Sequence, residues 1–178
     1  MSTSGKVTVA SLWDYIKTGN ISSPRIATID YAGFTSGTIH YTYFVAQRTH
    51  LSTTITFRVG STAQVTNTYT NVGIYTVASD GSLTLVASAT AKALSGTYST
   101  QTFTLTSSYT LVEGVEYAIG FLQVATTTAT VTAGAFGGSQ FGSAPLLAAT
   151  GAAGLSTLPA TATAPTAANG NPVYYEIT

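Results

Sequence analysis

Hydrophobic and polar residues alternate with a period of two over most of this chain. In LSTTITFRV, Leu51, Thr53, Ile55, Phe57 and Val59 fall on one face, and Ser52, Thr54, Thr56 and Arg58 on the other. Strand side chains point alternately to opposite faces, so this pattern predicts a half-buried β-strand. The preceding TIHYTYFVAQ alternates as well, with Ile39, Tyr41, Tyr43 and Val45 opposed to His40, Thr42, Phe44 and Ala46. Both of its faces are bulky, which predicts a central strand. Further strands are expected over Val72–Ala78 and Leu83–Ser88, joined at Asp80-Gly81, because Asp and Gly tolerate the positive φ of a tight hairpin turn. QTFTLTS and Val115–Val124 read as a second hairpin turning at Glu113-Gly114. In its last strand, Val115, Tyr117, Ile119 and Phe121 share one face, and the small Ala118 and Gly120 share the other with Leu122. Small residues there predict close packing of another layer. A strand near Val131 and a closing one with Val173, Tyr175 and Ile177 in phase complete about eight to ten strands.

One segment reads as helix. Ser11-Leu12-Trp13-Asp14 has the spacing of a capping box with an acidic third position, and Gly19 is a C-terminal stop. The predicted helix runs from about Leu12 to Thr18, too short to be stable without a partner surface. The fold class expected is therefore all-β: an antiparallel β-sandwich or jelly roll with a short N-terminal helix. Residues 1–24 form an N-terminal attachment arm, and residues 25–178 form a single sandwich domain. Within that domain, Gly134–Pro172 is rich in Ala, Gly, Thr and Pro and reads as an unusually long loop. Its apolar residues, among them Phe136, Phe141, Leu146, Leu147, Leu155 and Leu158, predict packing against another surface. On that ground a homo-oligomer is expected, most simply a trimer.

Composition narrows the function. Charged residues make up 7% of the 178 residues, where roughly 25% is usual. Hydroxyls take their place, with 35 threonines and 18 serines, and the formal net charge is zero. Without clustered Lys and Arg, no nucleic-acid partner is expected. The absence of cysteine excludes disulfides, thiolate zinc sites and a cysteine nucleophile. No stretch approaches the roughly 18 apolar residues that a membrane helix needs, so no membrane insertion is expected. MSTSGKVTVASLW lacks a charged start followed by an apolar block, so synthesis in a cytoplasm is expected.

Candidate chemistry is sparse. Of the acids, Asp14 suits a helix start, Asp80 and Glu113 suit turns, and Asp30, Glu116 and Glu176 form no evident pair for glycosidic catalysis. His40 and His50 lack any metal-ligand spacing, and no G-x-S-x-G elbow is present. The reading is non-enzymatic, with no cofactor and no metal. Aromatics are more suggestive, because a flat ring stacks on a sugar while hydroxyls and amides bond its OH groups. Tyr69, Tyr98 and Tyr109, with Gln101 nearby, are the candidate glycan contacts; the alternative is that they are half-buried strand residues. Trp13, flanked by Leu12 and Ile16, either anchors the helix to its own sandwich or docks it into a neighbouring subunit as an attachment point.

Three phrases carry a family resemblance: YTYFVAQRTHLSTTITFRVGSTA, GIYTVASDGSLTLVASA and YTLVEGVEYAIGFLQV. Over roughly Thr42–Val124 the chain resembles the β-sandwich modules of minor tail proteins, head fibres and capsid-decorating proteins of tailed phages infecting actinobacteria. The resemblance implies a non-enzymatic virion structural protein at the particle surface, released by lysis, whose partners are other virion proteins such as a major capsid or tail protein. A capsid decoration or head-fibre protein is the favoured form. The alternative is a minor tail protein or host-adhesion module with a carbohydrate-binding-like sandwich that contacts a cell-surface glycan.

Overall fold

The computed structural model describes residues 19–22, 28–135, 146–165 and 170–178. The predicted helix over Leu12–Thr18, and with it Leu12, Trp13 and Ile16, lies outside the described residues. The described residues are all-β. The strands are β1 (Asn20–Ile21), β2 (Thr28–Tyr31), β3 (Ile39–Val45), β4 (His50–Arg58), β5 (Val65–Val77), β6 (Leu83–Ser88), β7 (Thr100–Leu111), β8 (Glu116–Thr127), β9 (Val131–Gly134), β10 (Ala148–Thr150), β11 (Thr161–Ala162) and β12 (Glu176–Ile177).

Six of these strands form one antiparallel ribbon folded back at a single turn. β5 pairs β6, β4 pairs β7 and β3 pairs β8. Ile39 faces Leu122, His50 faces Leu111 and Gly73 faces Ser88, and each pair is equidistant from the Asp80-Gly81 turn. That turn is built as its residues predict: Gly81 has φ +80°, and Asp80 Oδ1 accepts from Ser82 N at 2.9 Å and Ser82 Oγ at 2.7 Å. The ribbon then rolls so that β5 also pairs β8, which is the jelly-roll arrangement. The result is a four-stranded sheet, β1-β12-β4-β7, packed on a six-stranded sheet, β10-β3-β8-β5-β6-β11, with a separate β2-β9 pair.

The expected second hairpin is corrected. The Glu113-Gly114 turn exists, with Gly114 at φ +79°. But β7 and β8 diverge from it into opposite sheets. Turn chemistry is the same for a hairpin and for a crossover; the partner is chosen by which inward faces meet in the core.

Between the sheets lies an aromatic-rich core. Phe57 stacks on Phe103 at 5.5 Å and meets Phe121 edge-on at 5.2 Å and Tyr175 at 5.9 Å. Val173, Tyr175 and Ile177 point into it together, as their phase predicts. A second apolar cluster, Ile39, Tyr41, Tyr43, Tyr75, Leu83, Ala118 and Ala149, covers the other face of the six-stranded sheet. It is closed by the chain itself. β10 pairs with the β3 edge and β11 with the β6 edge, while Leu146, Leu155 and Leu158 lie across the face between them. Tyr75 Oη donates to the Pro159 carbonyl at 2.9 Å beneath this strap. The expected long loop therefore contains two edge strands. Of its apolar residues, Leu146, Leu155 and Leu158 are seated on the chain's own sheet and Leu147 is exposed, while Phe136 and Phe141 lie outside the described residues.

The small residues of β8 make room for this second layer. Gly73 and Gly120 sit directly opposite each other on β5 and β8. A Cβ on Gly120 would lie 2.5 Å from the Tyr75 ring, and one on Gly73 would lie 2.8 Å from Leu158 Cδ1.

Candidate functional site

The outer face of the four-stranded sheet presents threonines of β4 and β7. Thr54 pairs across strands with Thr104, and Thr56 with Thr102. These four threonines make a ladder in which one rung is hydroxyl-bonded, Thr56 Oγ1 lying 3.1 Å from Thr102 Oγ1, whereas Thr54 Oγ1 lies 2.6 Å from Thr178 Oγ1. One end of this ladder runs into a cleft of about 550 Å³. Thr56, Arg58, Thr100 and Glu176 contribute to its floor, β2 and β9 with Asp30 and Thr132 to its wall, and Tyr98 to its mouth.

The wall is fixed by Asp30. Its carboxylate accepts from Ser61 N at 2.9 Å and from the Ser61 hydroxyl, with Thr130 as a further donor. Burial by itself raises the Asp30 pKa, but the hydrogen bonds from Ser61 and Thr130 outweigh it and hold the carboxyl below its ordinary value. Asp30 is thus occupied in tying β2 to the turn after β4. On the floor, Glu176 Oε1 accepts from Tyr174 Oη at 3.0 Å.

Tyr98 is the unusual residue. It has φ +52°, the only positive φ outside glycine among the described residues, and its side chain is 62% exposed. The left-handed conformation costs a non-glycine residue about 1–2 kcal/mol. The loop over-determines it. Tyr98 N donates to Gly60 O at 2.8 Å, Val59 N to Ser99 O at 2.9 Å and Arg58 Nε to Tyr98 O at 3.2 Å. Arg58 makes no other bond among the described residues, and it lines the cleft.

Of the four candidate glycan contacts, the structure brings Tyr98 alone to the cleft. Gln101 is buried and supports it instead: Nε2 donates to Ser95 O at 3.0 Å and Ser99 Oγ at 2.9 Å, shaping the loop that presents Tyr98. Tyr109 packs edge-on against Tyr117 at 6.2 Å beside the core. Tyr69 is half-buried within β5, in a stretch expected to be loop. Arg58, Glu176 and the threonine ladder were not singled out by sequence. The signal available was the T-x-T-x-R alternation of β4, whose outward face is hydroxyl-covered up to Arg58. Of the two histidines, His40 is buried on β3 against Phe34 at 4.8 Å, and His50 opens β4.

At the other end of the chain, a double amide clamp holds β1. Asn20 Oδ1 accepts from Gln47 N at 2.7 Å and Arg48 N at 3.1 Å, and Gln47 Oε1 accepts from Ile21 N at 3.0 Å while its Nε2 donates to Ile21 O at 3.1 Å. The sandwich thus reaches back to Asn20, ahead of the boundary expected at residue 25. A scan against protein-family models finds no match to this chain, and a search of curated proteins finds none either.

Proposed function

We propose that this chain is a non-enzymatic structural protein on the surface of a tailed-phage virion, a capsid-decorating or head-fibre protein in preference to a minor tail protein. The observation that carries the reading is the combination of a self-sealed sandwich with one clamped tether point. Both faces of the six-stranded sheet are buried by the chain's own residues. β1 lies at the edge of the four-stranded sheet and is pinned there by Asn20 and Gln47. Such a unit can project from a particle while a short segment attaches it. The resemblance over Thr42–Val124 falls on the ribbon from β3 to β8, the part that sets the fold. The hydroxyl-covered outer sheet suits solubility without charge. The occupied Asp30 carboxylate supports a binding role over a catalytic one.

Quantitative mass spectrometry of purified particles tests this. Copy numbers comparable with the major capsid protein fit decoration. A few copies per particle would move the protein to the tail, and absence from particles would overturn the reading.

A further inference from the structure

We propose that the cleft under Tyr98 binds a neutral oligosaccharide, with the Tyr98 ring as stacking platform and the Thr54–Thr104 and Thr56–Thr102 ladder as the continuation of the site. The inference concerns a ligand and stands independently of the virion reading.

Three features select the ligand class. The first is an exposed aromatic ring held in a costly backbone conformation. A strained residue persists only where the surroundings enforce it, and here five local hydrogen bonds do so. A ring presented at a cleft mouth offers a flat apolar face to the C–H side of a pyranose.

The second is the match of donors and acceptors. A sugar hydroxyl both donates and accepts, so it needs both kinds of partner within one cleft. Arg58 supplies donors, and the threonines Thr56, Thr100 and Thr132 supply both donors and acceptors. The charges discriminate against ionic ligands. The lining carries both signs, so an anion meets the carboxylates of Asp30 and Glu176 beside its one cationic partner, and a cation meets Arg58 beside its carboxylate partners. A ligand without charge pays neither penalty.

The third is extent. The ladder begins on the cleft floor at Thr56 and runs outward along β4 and β7 with alternate residues about 7 Å apart on the same face. A single sugar would leave it uncovered. The site therefore favours a chain of sugars over a monosaccharide.

The test uses the full chain in saturation-transfer NMR and calorimetry with cellotriose, maltotriose and chitotriose, with glucose as the short probe and trigalacturonate as the charged one. At least one neutral trisaccharide is expected to bind, and more tightly than glucose. Tyr98→Asn keeps a residue type that tolerates the left-handed conformation but deletes the ring, and it should weaken binding about three- to tenfold. Tyr98→Phe, which keeps the ring, should bind as wild type. Amide spectra of both variants should overlay on wild type away from the 95–100 loop. The proposal is overturned if none of the neutral trisaccharides binds, if trigalacturonate alone binds, or if Tyr98→Asn binds as tightly as wild type.

Discussion

Gly120→Ala tests how the strap and the six-stranded sheet hold each other. The new Cβ would lie 2.5 Å from Tyr75 Cε2 and 3.2 Å from Ile39 Cδ1. Tyr75 has little freedom to retreat. It is fully buried, it meets Tyr41 edge-on at 5.3 Å, and its hydroxyl is bonded to Pro159 O at 2.9 Å. Overpacking of this kind costs about 1–3 kcal/mol. Replacing glycine returns about 0.4–1 kcal/mol through the unfolded chain, since Gly120 has no positive φ to lose. The net expectation is a loss of about 1–2 kcal/mol, or roughly 3–6 °C in melting temperature at this chain length. The loss should be local in origin. If Tyr75 shifts, its hold on Pro159 weakens, and the strap opens. Two amides report that opening: Leu85 N–H, bonded to Ala160 O at 2.9 Å, and Ile39 N–H, bonded to Ala152 O at 3.1 Å. Their hydrogen exchange should accelerate more than that of core amides. Gly114→Ala is the control: its cost comes from φ +79° in open space, so it should lower melting without selectively exposing Leu85 and Ile39. A Gly120→Ala protein that melts at or above wild type with both amides equally protected would refute the idea that the glycine makes room for a tightly held Tyr75.

Other outcomes follow from the same structure. Burial without a partner for Nε2 depresses the His40 pKa from 6.5 to about 4. A base depressed in the folded state contributes stability above its unfolded pKa and loses it as pH falls. Roughly 3 kcal/mol should therefore disappear between pH 6.5 and 4, partly offset by Glu116, whose burial raises its pKa and acts in the opposite direction. Urea titrations at pH 7 and 4.5 should show this loss, and His40→Phe should remove most of it; an unchanged slope would mean that His40 is not buried neutral. Trp13→Ala should leave melting unchanged but reduce incorporation into particles, by an interface loss of about 2 kcal/mol or more. If melting falls instead, Trp13 belongs to the protein's own core.

Much of the fold was legible in the chain because strand alternation and turn chemistry are local. The outward Thr56 and Arg58, the inward Phe57 and the Asp80-Gly81 turn follow from period two and from which residues accept positive φ. The bulky double face of Ile39–Val45 also indicated a strand with neighbours on both edges, as β3 has in β10 and β8, and the small Gly120 indicated a close second layer. What the chain could not show is who the partners are. That β7 and β8 part at their turn, and that β5 pairs β8, depends on non-local pairing of inward faces, which no local pattern encodes. The cover over Ile39 and Tyr75 proved to be a segment with no periodicity of its own, ordered by the sheet edges on which it lies. The cleft is the extreme case. Tyr98, Arg58, Asp30 and Glu176 span most of the chain, and only the rolling of the ribbon and the return of the C-terminal strand bring them to one cleft. Gln101 and Tyr109 looked like surface chemistry for the same reason: sequence gives their donors and rings, but burial is decided by the layer packed against them.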